Sequence, residues 1–244
     1  KTNIDIPGVQ QLLAEEVIKA NPNTVVVLFN GRPLTITKLD AIAPAILEAW
    51  FGGTEAGNGV ADVLFGKFNP SGKLTMTFPR NVGQIPIYYN HKNTGRPVIP
   101  SKYEKYKSRY IDCSNDPLYP FGYGLSYTTF DYSNVVLDKN EYTANDTIVA
   151  RVSVMNSGKV NGEEDIQLYV RDLVGEVTRP VLELKGFKKV LIPAGQSVAI
   201  TFKLTPNDLK YYHSNMDYLW DPGEFEIHIG PNSAQTKMAR FTLK

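Results

Sequence analysis

The stretch YYNHKNTGRP, residues 88–97, concentrates aromatic faces, side-chain amides, an imidazole and a guanidinium in one short segment. Sugars are recognised by this chemistry, their rings stacking on aromatic side chains and their hydroxyls exchanging hydrogen bonds with amides and charged groups. A loop whose polar groups satisfy its own backbone has the same composition, and the residues alone leave both readings open. A second stretch, WFGGTEAGNGVADVLFG at 50–66, sets glycines where an α/β protein would cradle a phosphate. A P-loop requires G-x-x-x-x-G-K-[ST], yet Gly57 is followed by Asn58-Gly59, and counting from Gly53 puts Asn58 on the second glycine. The dinucleotide pattern fails as well, with Asp62 where its third glycine should stand. The glycines are instead expected to turn a strand end tightly into a helix.

Glu48, Glu55 and Asp62 surround that turn. A retaining glycosidase needs two carboxyls about 5–5.5 Å apart; the bland reading is exposed acids near helix ends, with Glu55 favouring a helix N-terminus. His91, His213 and His228 are too scattered for a metal-site spacing. The single cysteine, Cys113, excludes an internal disulfide and a thiolate zinc site. There is no G-x-S-x-G elbow. Tyr119, Phe121, Tyr123 and Tyr127 read as packing between domains rather than as a stacking platform. Asn145 heads an N-D-T glycosylation sequon, relevant only to a eukaryotic secreted protein. The net charge of +1 carries no block of one sign, which disfavours nucleic-acid partners. No apolar run approaches the roughly 18 residues of a membrane helix. No metal or cofactor is expected.

The elements that must position these residues fall into two halves. DIPGVQQLLAEEVIKANPN puts Val9, Leu12, Leu13, Val17 and Ala20 near one helical face, with Asp5 as cap, Pro7 in the first turn and Asn21-Pro22 as stop. TVVVLFN reads as a strand from Thr24 to Phe29 buried on both faces of a parallel sheet. AILEAWF is a second strand, GVADVLFG a short helix, and GKLTMTFP a strand alternating Leu74, Met76 and Phe78. This alternation predicts an α/β domain with a mixed or parallel sheet over residues 1–124. Its last part, 79–123, is rich in Tyr, Pro, Asn and Gly, has neither period, and is expected to be a long ordered loop. Residues 125–244 read as about seven strands separated by turn residues, an all-β sandwich. Without a cysteine pair, the fibronectin type III-like form is preferred over the antibody form.

VVVLFNGRPL, AILEAWFGGTEAGNGVADVLFGKFNPSGKLTMTFPRNVGQIPIYYNHKNTGRP and LYPFGYGLSYTTF together resemble the C-terminal part of glycoside hydrolase family 3, in particular its bacterial periplasmic β-glucosidase-like members. The resemblance spans nearly the whole chain. It implies an α/β sandwich followed by a fibronectin type III-like domain, preceded in the family by a (β/α)8 barrel. It implies a retaining, exo-acting hydrolase of terminal β-linked sugars, periplasmic or secreted. The family's nucleophilic aspartate lies in the barrel and its acid/base glutamate on a loop expected just upstream of Lys1, so no catalytic residue is carried over and Glu55 does not match. What the resemblance does suggest is a border on the substrate's leaving-group side: His91, Asn93 and Arg96 are the candidate substrate-binding residues. The implied partner is a β-linked oligosaccharide or glycoside. Because the family's α/β domain has more strands than residues 1–124 supply, it is expected to be incomplete here. An open sheet edge or apolar patch should result, and a homo-oligomer is one way to cover it. The 244 residues alone are expected to be inactive. The alternative is a non-catalytic sugar-binding or protein-interaction module built from the same domains.

Overall fold

The computed structural model describes residues 2–98 and 104–244; residues 99–103 of the expected 79–123 loop lie outside the described residues. The chain forms two compact units that interleave in sequence. The first comprises Lys1–Phe68, Met76–Ile87 and Tyr110–Pro120, the second Asn69–Thr75, Tyr88–Arg109 and Phe121–Lys244.

In the first unit, helix α1 (Gly8–Ala20) starts after Pro7 and stops at Asn21, whose N–H donates to the Val17 carbonyl at 2.9 Å. The expected cap is not formed. Asp5 instead pairs with Thr35 in a parallel bridge, and its carboxylate accepts the Thr35 hydroxyl. Strands β1 (Val25–Leu28) and β2 (Ala45–Glu48) pair in parallel, Val26 opposite Ile46, with the short helix α2 (Thr37–Asp40) between them. β1 is one residue shorter at each end than expected and half-exposed rather than buried on both faces. The apolar face of α1 is open too: Val9, Leu12 and Leu13 are 79%, 62% and 63% exposed.

GKLTMTFP is not a strand. Leu74 and Phe78 make separate backbone pairings with Tyr123 and Gly122 and with Leu118 and Tyr119. The opposing stretch contains Pro120, which has no N–H to give a continuous ladder.

The second unit is the predicted sandwich. One sheet holds β3 (Phe130–Tyr132), β4 (Val136–Leu137), β6 (Ile148–Asn156) and β9 (Ser197–Leu204), with β6 central. The other runs β5 (Glu141–Tyr142), β13 (Lys237–Leu243), β12 (Gly223–Gly230), β7 (Gly162–Asp172) and β8 (Glu183–Ile192). A small hairpin pairs β10 (Tyr211–Tyr212) with β11 (Tyr218–Leu219). The period-2 pattern places Ile148, Ala150, Val152 and Val154 against Ile166, Leu168, Val170, Phe225, Ile227 and Ile229 in one core. β7 is also covered on its outer face, where Gln167 and Tyr169 are buried. Gly122, at φ +80°, lets backbone reach this face, and its carbonyl accepts Gln167 Nε2 at 3.2 Å.

Candidate functional site

The glycine-rich turn is built differently from expectation. Gly57 and Gly59 lie inside helix α3 (Ala56–Leu64), while the positive φ after β2 falls on Trp50. Gly52 is needed for close approach, since a Cβ there would lie 2.4 Å from that of Ala56. Gly66, at φ +75°, ends the helix in the left-handed conformation, its N–H donating to Val63 O at 3.0 Å. The three nearby carboxylates have separate local roles. Glu48 accepts Trp50 N–H at 3.0 Å and the Asn30 amide at 3.2 Å, and burial pushes it above the usual carboxylate range against these bonds. Glu55 stands at the α3 N-terminus and accepts the Asn58 amide. Asp62 pairs with Lys67 at 3.0 Å.

The 88–97 segment is held by the second unit. Tyr89 stacks on Phe121 with centroids 4.5 Å apart and meets Tyr169 edge-on at 5.6 Å, and its hydroxyl accepts the Leu184 N–H at 3.3 Å. Lys92 bridges Pro180 in antiparallel fashion, and Val181 N–H donates to His91 O at 2.9 Å. Farther on, Ser108 N–H donates to Arg96 O at 2.9 Å and Thr94 Oγ1 to Ser108 Oγ at 2.8 Å. The backbone is thus fixed while the side chains of His91, Asn93 and Arg96 face outward. His91 Nδ1 lies 3.3 Å from the Lys92 carbonyl oxygen. Of the three, Asn93 lines a cleft of about 240 Å³ with the 171–181 loop.

The cleft wall contains ionic groups that sequence reasoning missed. Asp172, its side chain 6% exposed, lies 3.4 Å from Arg179 Nε, and Arg179 Nη2 reaches Glu183 at 2.8 Å. Burial pushes the Asp172 carboxyl above its usual range, with Arg179 opposing. The Arg179 guanidinium lies 3.9 Å over the Tyr211 ring. Both carboxylates face this guanidinium, Glu183 with Lys185 Nζ also 3.8 Å away, an arrangement suited to holding a loop in shape rather than to paired acid–nucleophile chemistry. Asp172, Arg179 and Tyr211 come from separate strands and turns, and no spacing in the sequence marks them.

Among the described residues no helix is long and apolar enough to cross a membrane. The sequence profile of the glycosyl hydrolase family 3 C-terminal domain matches residues 1–127, and that of a fibronectin type III-like domain matches 164–233. The chain belongs to glycosyl hydrolase family 3, with an α/β domain followed by a β-sandwich. It is 49% identical over 243 residues to a periplasmic beta-glucosidase of Salmonella typhimurium, covering all of this chain and 32% of that protein. It is 42% identical to a beta-xylosidase of Formosa agariphila, covering all of this chain and 33% of that one. A beta-glucosidase from Listeria innocua, solved in complex with glucose, superposes with a TM-score of 0.94 at 41% identity, over 98% of this chain and 33% of the other. The chain therefore spans about a third of the length of these relatives.

Proposed function

We propose that these residues form the C-terminal part of a retaining, exo-acting β-glucosidase-type hydrolase, with 1–124 its α/β domain and 125–244 its fibronectin type III-like domain. The observation that carries the reading is similarity along the whole of this chain to about a third of relatives named as beta-glucosidases, at 49% identity over 243 residues in one case. In this reading a nucleophilic aspartate elsewhere in the enzyme forms the glycosyl intermediate, and a separate glutamate protonates the leaving oxygen and then activates water. His91, Asn93 and Arg96 border the leaving-group side of a β-linked oligosaccharide or glycoside. Their exposure on a backbone pinned at Tyr89 and His91 favours this role over self-satisfied loop chemistry. The periplasmic name of the Salmonella relative supports a periplasmic or secreted location.

The 244 residues alone are proposed to be inactive, since the resemblance carries neither acid onto them. Purified protein assayed with an aryl β-glucoside should show buffer-level turnover; turnover above a contamination-controlled blank overturns this assignment. Calorimetric titration with cellobiose and laminaribiose tests the border. Weak saturable binding that disappears in His91→Ala or Arg96→Ala supports it, and binding untouched by either change removes it.

A further inference from the structure

The 173–182 loop between β7 and β8 supplies the backbone partners of His91 and Lys92. What holds this loop is a column of side chains reaching it from the β10–β11 hairpin and the approach to β12. Glu176 N–H donates to Tyr211 Oη at 2.9 Å, and Tyr211 Oη donates to Asp221. The Tyr211 ring stacks on His213 at 4.4 Å with 15° between planes, and Arg179 packs over the same ring. His213 Nδ1 lies 2.6 Å from Glu176 Oε2, and its Nε2 lies 3.6 Å from Asp221 Oδ1. The Ser214 hydroxyl donates to the other Glu176 oxygen. Gly175 makes the approach possible, because a Cβ there would lie 2.7 Å from Arg179 Cγ.

Protonated His213 is hydrogen-bonded to Glu176 through Nδ1 and attracts Asp221 by charge alone, since Nε2 at 3.6 Å makes no hydrogen bond. The neutral ring loses the charge attraction to both carboxylates, keeps at most the Nδ1–H bond to Glu176, and then turns an Nε2 lone pair toward Asp221. The His213 side chain is 9% exposed, but Glu176 and Asp221 are 47% and 31% exposed, so water reaches the carboxylates and moderates the change. The charged groups around it are Glu176 from the loop and Asp221 from beyond the hairpin. Arg179 acts across the Tyr211 ring, with Asp172 and Glu183 facing that guanidinium in turn.

We propose that Tyr211 and His213 are positioning residues: through Glu176 they fix the 173–182 loop, and through it the His91–Asn93 segment, which is held while His213 is protonated and loosened when it is neutral. The structural coupling stands on the contacts above. Its consequence for sugars rests on the reading of His91, Asn93 and Arg96 as the substrate border. The Glu176 hydrogen bond, aided by the Asp221 and Glu176 charges against burial, raises His213 above its ordinary value. The contribution is therefore complete below the unfolded value of about 6.5 and is lost as pH rises through the higher folded value.

Hydrogen exchange of the 244-residue protein, corrected for intrinsic rates across pH 5.5–9, separates the two statements. Peptides covering 88–93 and 176–182 should exchange about fivefold faster above the His213 transition, while a core peptide from 148–156 stays unchanged. His213→Gln should exchange rapidly at every pH, and Tyr211→Phe, which loses the bridge from Glu176 N–H to Asp221, should lie between. A flat pH profile in the parent protein, or an unchanged pH step in His213→Gln, overturns the proposal. If His213→Gln fails to fold, the parent profile and Tyr211→Phe decide. Cellobiose titration of the same samples reads the substrate border: an exchange step with no change in binding keeps the latch and removes the sugar role of the segment.

Discussion

Replacing Lys73 with methionine keeps most of the side chain's apolar stem and removes its charge from a place where that charge is needed. Lys73 Nζ lies 3.1 Å from Glu164 Oε2, with the two side chains only 9% and 3% exposed. Nζ also donates to Gly124 O at 3.0 Å, and Tyr132 donates to the other Glu164 oxygen at 2.8 Å. Burial and the Glu164 charge hold the Tyr132 phenol well above its usual range, so it is a donor at any working pH. Removing one partner of a buried pair leaves an uncompensated charge, at a cost of about 3–5 kcal/mol. That is a large part of the roughly 5–15 kcal/mol that stabilises a domain. The two compact units need not unfold together, so the probe must report on one of them. Trp220 packs on the sandwich core whereas Trp50 lies in the first unit, and urea unfolding followed by fluorescence in a Trp50→Phe background reads the sandwich. Lys73→Met should lower its stability by that amount. The double variant Lys73→Met/Glu164→Gln should recover more than half, because no charge is then buried alone. A single variant within about 1 kcal/mol of the parent, or a double no better than the single, would refute the reasoning.

Gly122→Ala should destabilise the sandwich by about 2–5 kcal/mol, from the left-handed backbone and the overpacking together. Its φ is +80° and an added Cβ would meet Gln167 Oε1 at 2.1 Å; a melting temperature equal to the parent's counts against this. Asp146 accepts hydrogen bonds from Lys139 and from the Thr143 N–H and hydroxyl, which lower it to about 2. Its contribution is present above the ordinary carboxylate range and is lost as pH falls through about 2, and a carboxyl NMR titration with a midpoint near 4 excludes it. Leu12 and Leu13 on α1 are 62% and 63% exposed, so changing both to lysine should alter monomer stability by no more than about 0.5 kcal/mol. Light scattering should show any self-association of the parent reduced, and unchanged association would show that this face is not the contact.

Elements governed by local pattern were legible in the sequence, and those governed by distant cover were not. Ile148, Ala150, Val152 and Val154 alternate with polar neighbours because one face of β6 meets the core, so the strand is written in its own residues. α1 shows the same kind of stripe, yet its residues are exposed, since periodicity reports a face without saying what covers it. Leu74, Met76 and Phe78 alternate too, and still form no strand because the opposing stretch contains Pro120. At the candidate site, the aromatic and polar composition of 88–97 was visible. The Asp172–Arg179–Tyr211–His213 assembly was not, because it is joined only where two loops and a hairpin meet.

The sequence features that stand out most as family markers make contacts that support the sandwich. In NPSGKL, Asn69 donates to Asn161 O and accepts from Ser126 and Tyr127, Ser71 donates to Glu163, and Lys73 neutralises Glu164. In YPFGYG, Gly122 admits the chain against Gln167, and Phe121 supplies the ring under Tyr89. Both motifs therefore act on β7 and its surroundings, and the 88–97 segment rests on the same strand through Tyr169. Tyr169 links the two, its ring against Tyr89 and its hydroxyl donating to Gln167, which in turn holds Gly122 and Pro231 by their carbonyls. Side chains exposed at the tip of a loop can be set accurately only if the loop's base is rigid, and here that base is the outer face of a buried strand. The demand for specific residues thus falls on the support, where a lost hydrogen bond or an added methyl group has no room to relax. The outward-facing side chains of His91, Asn93 and Arg96 stand on that support.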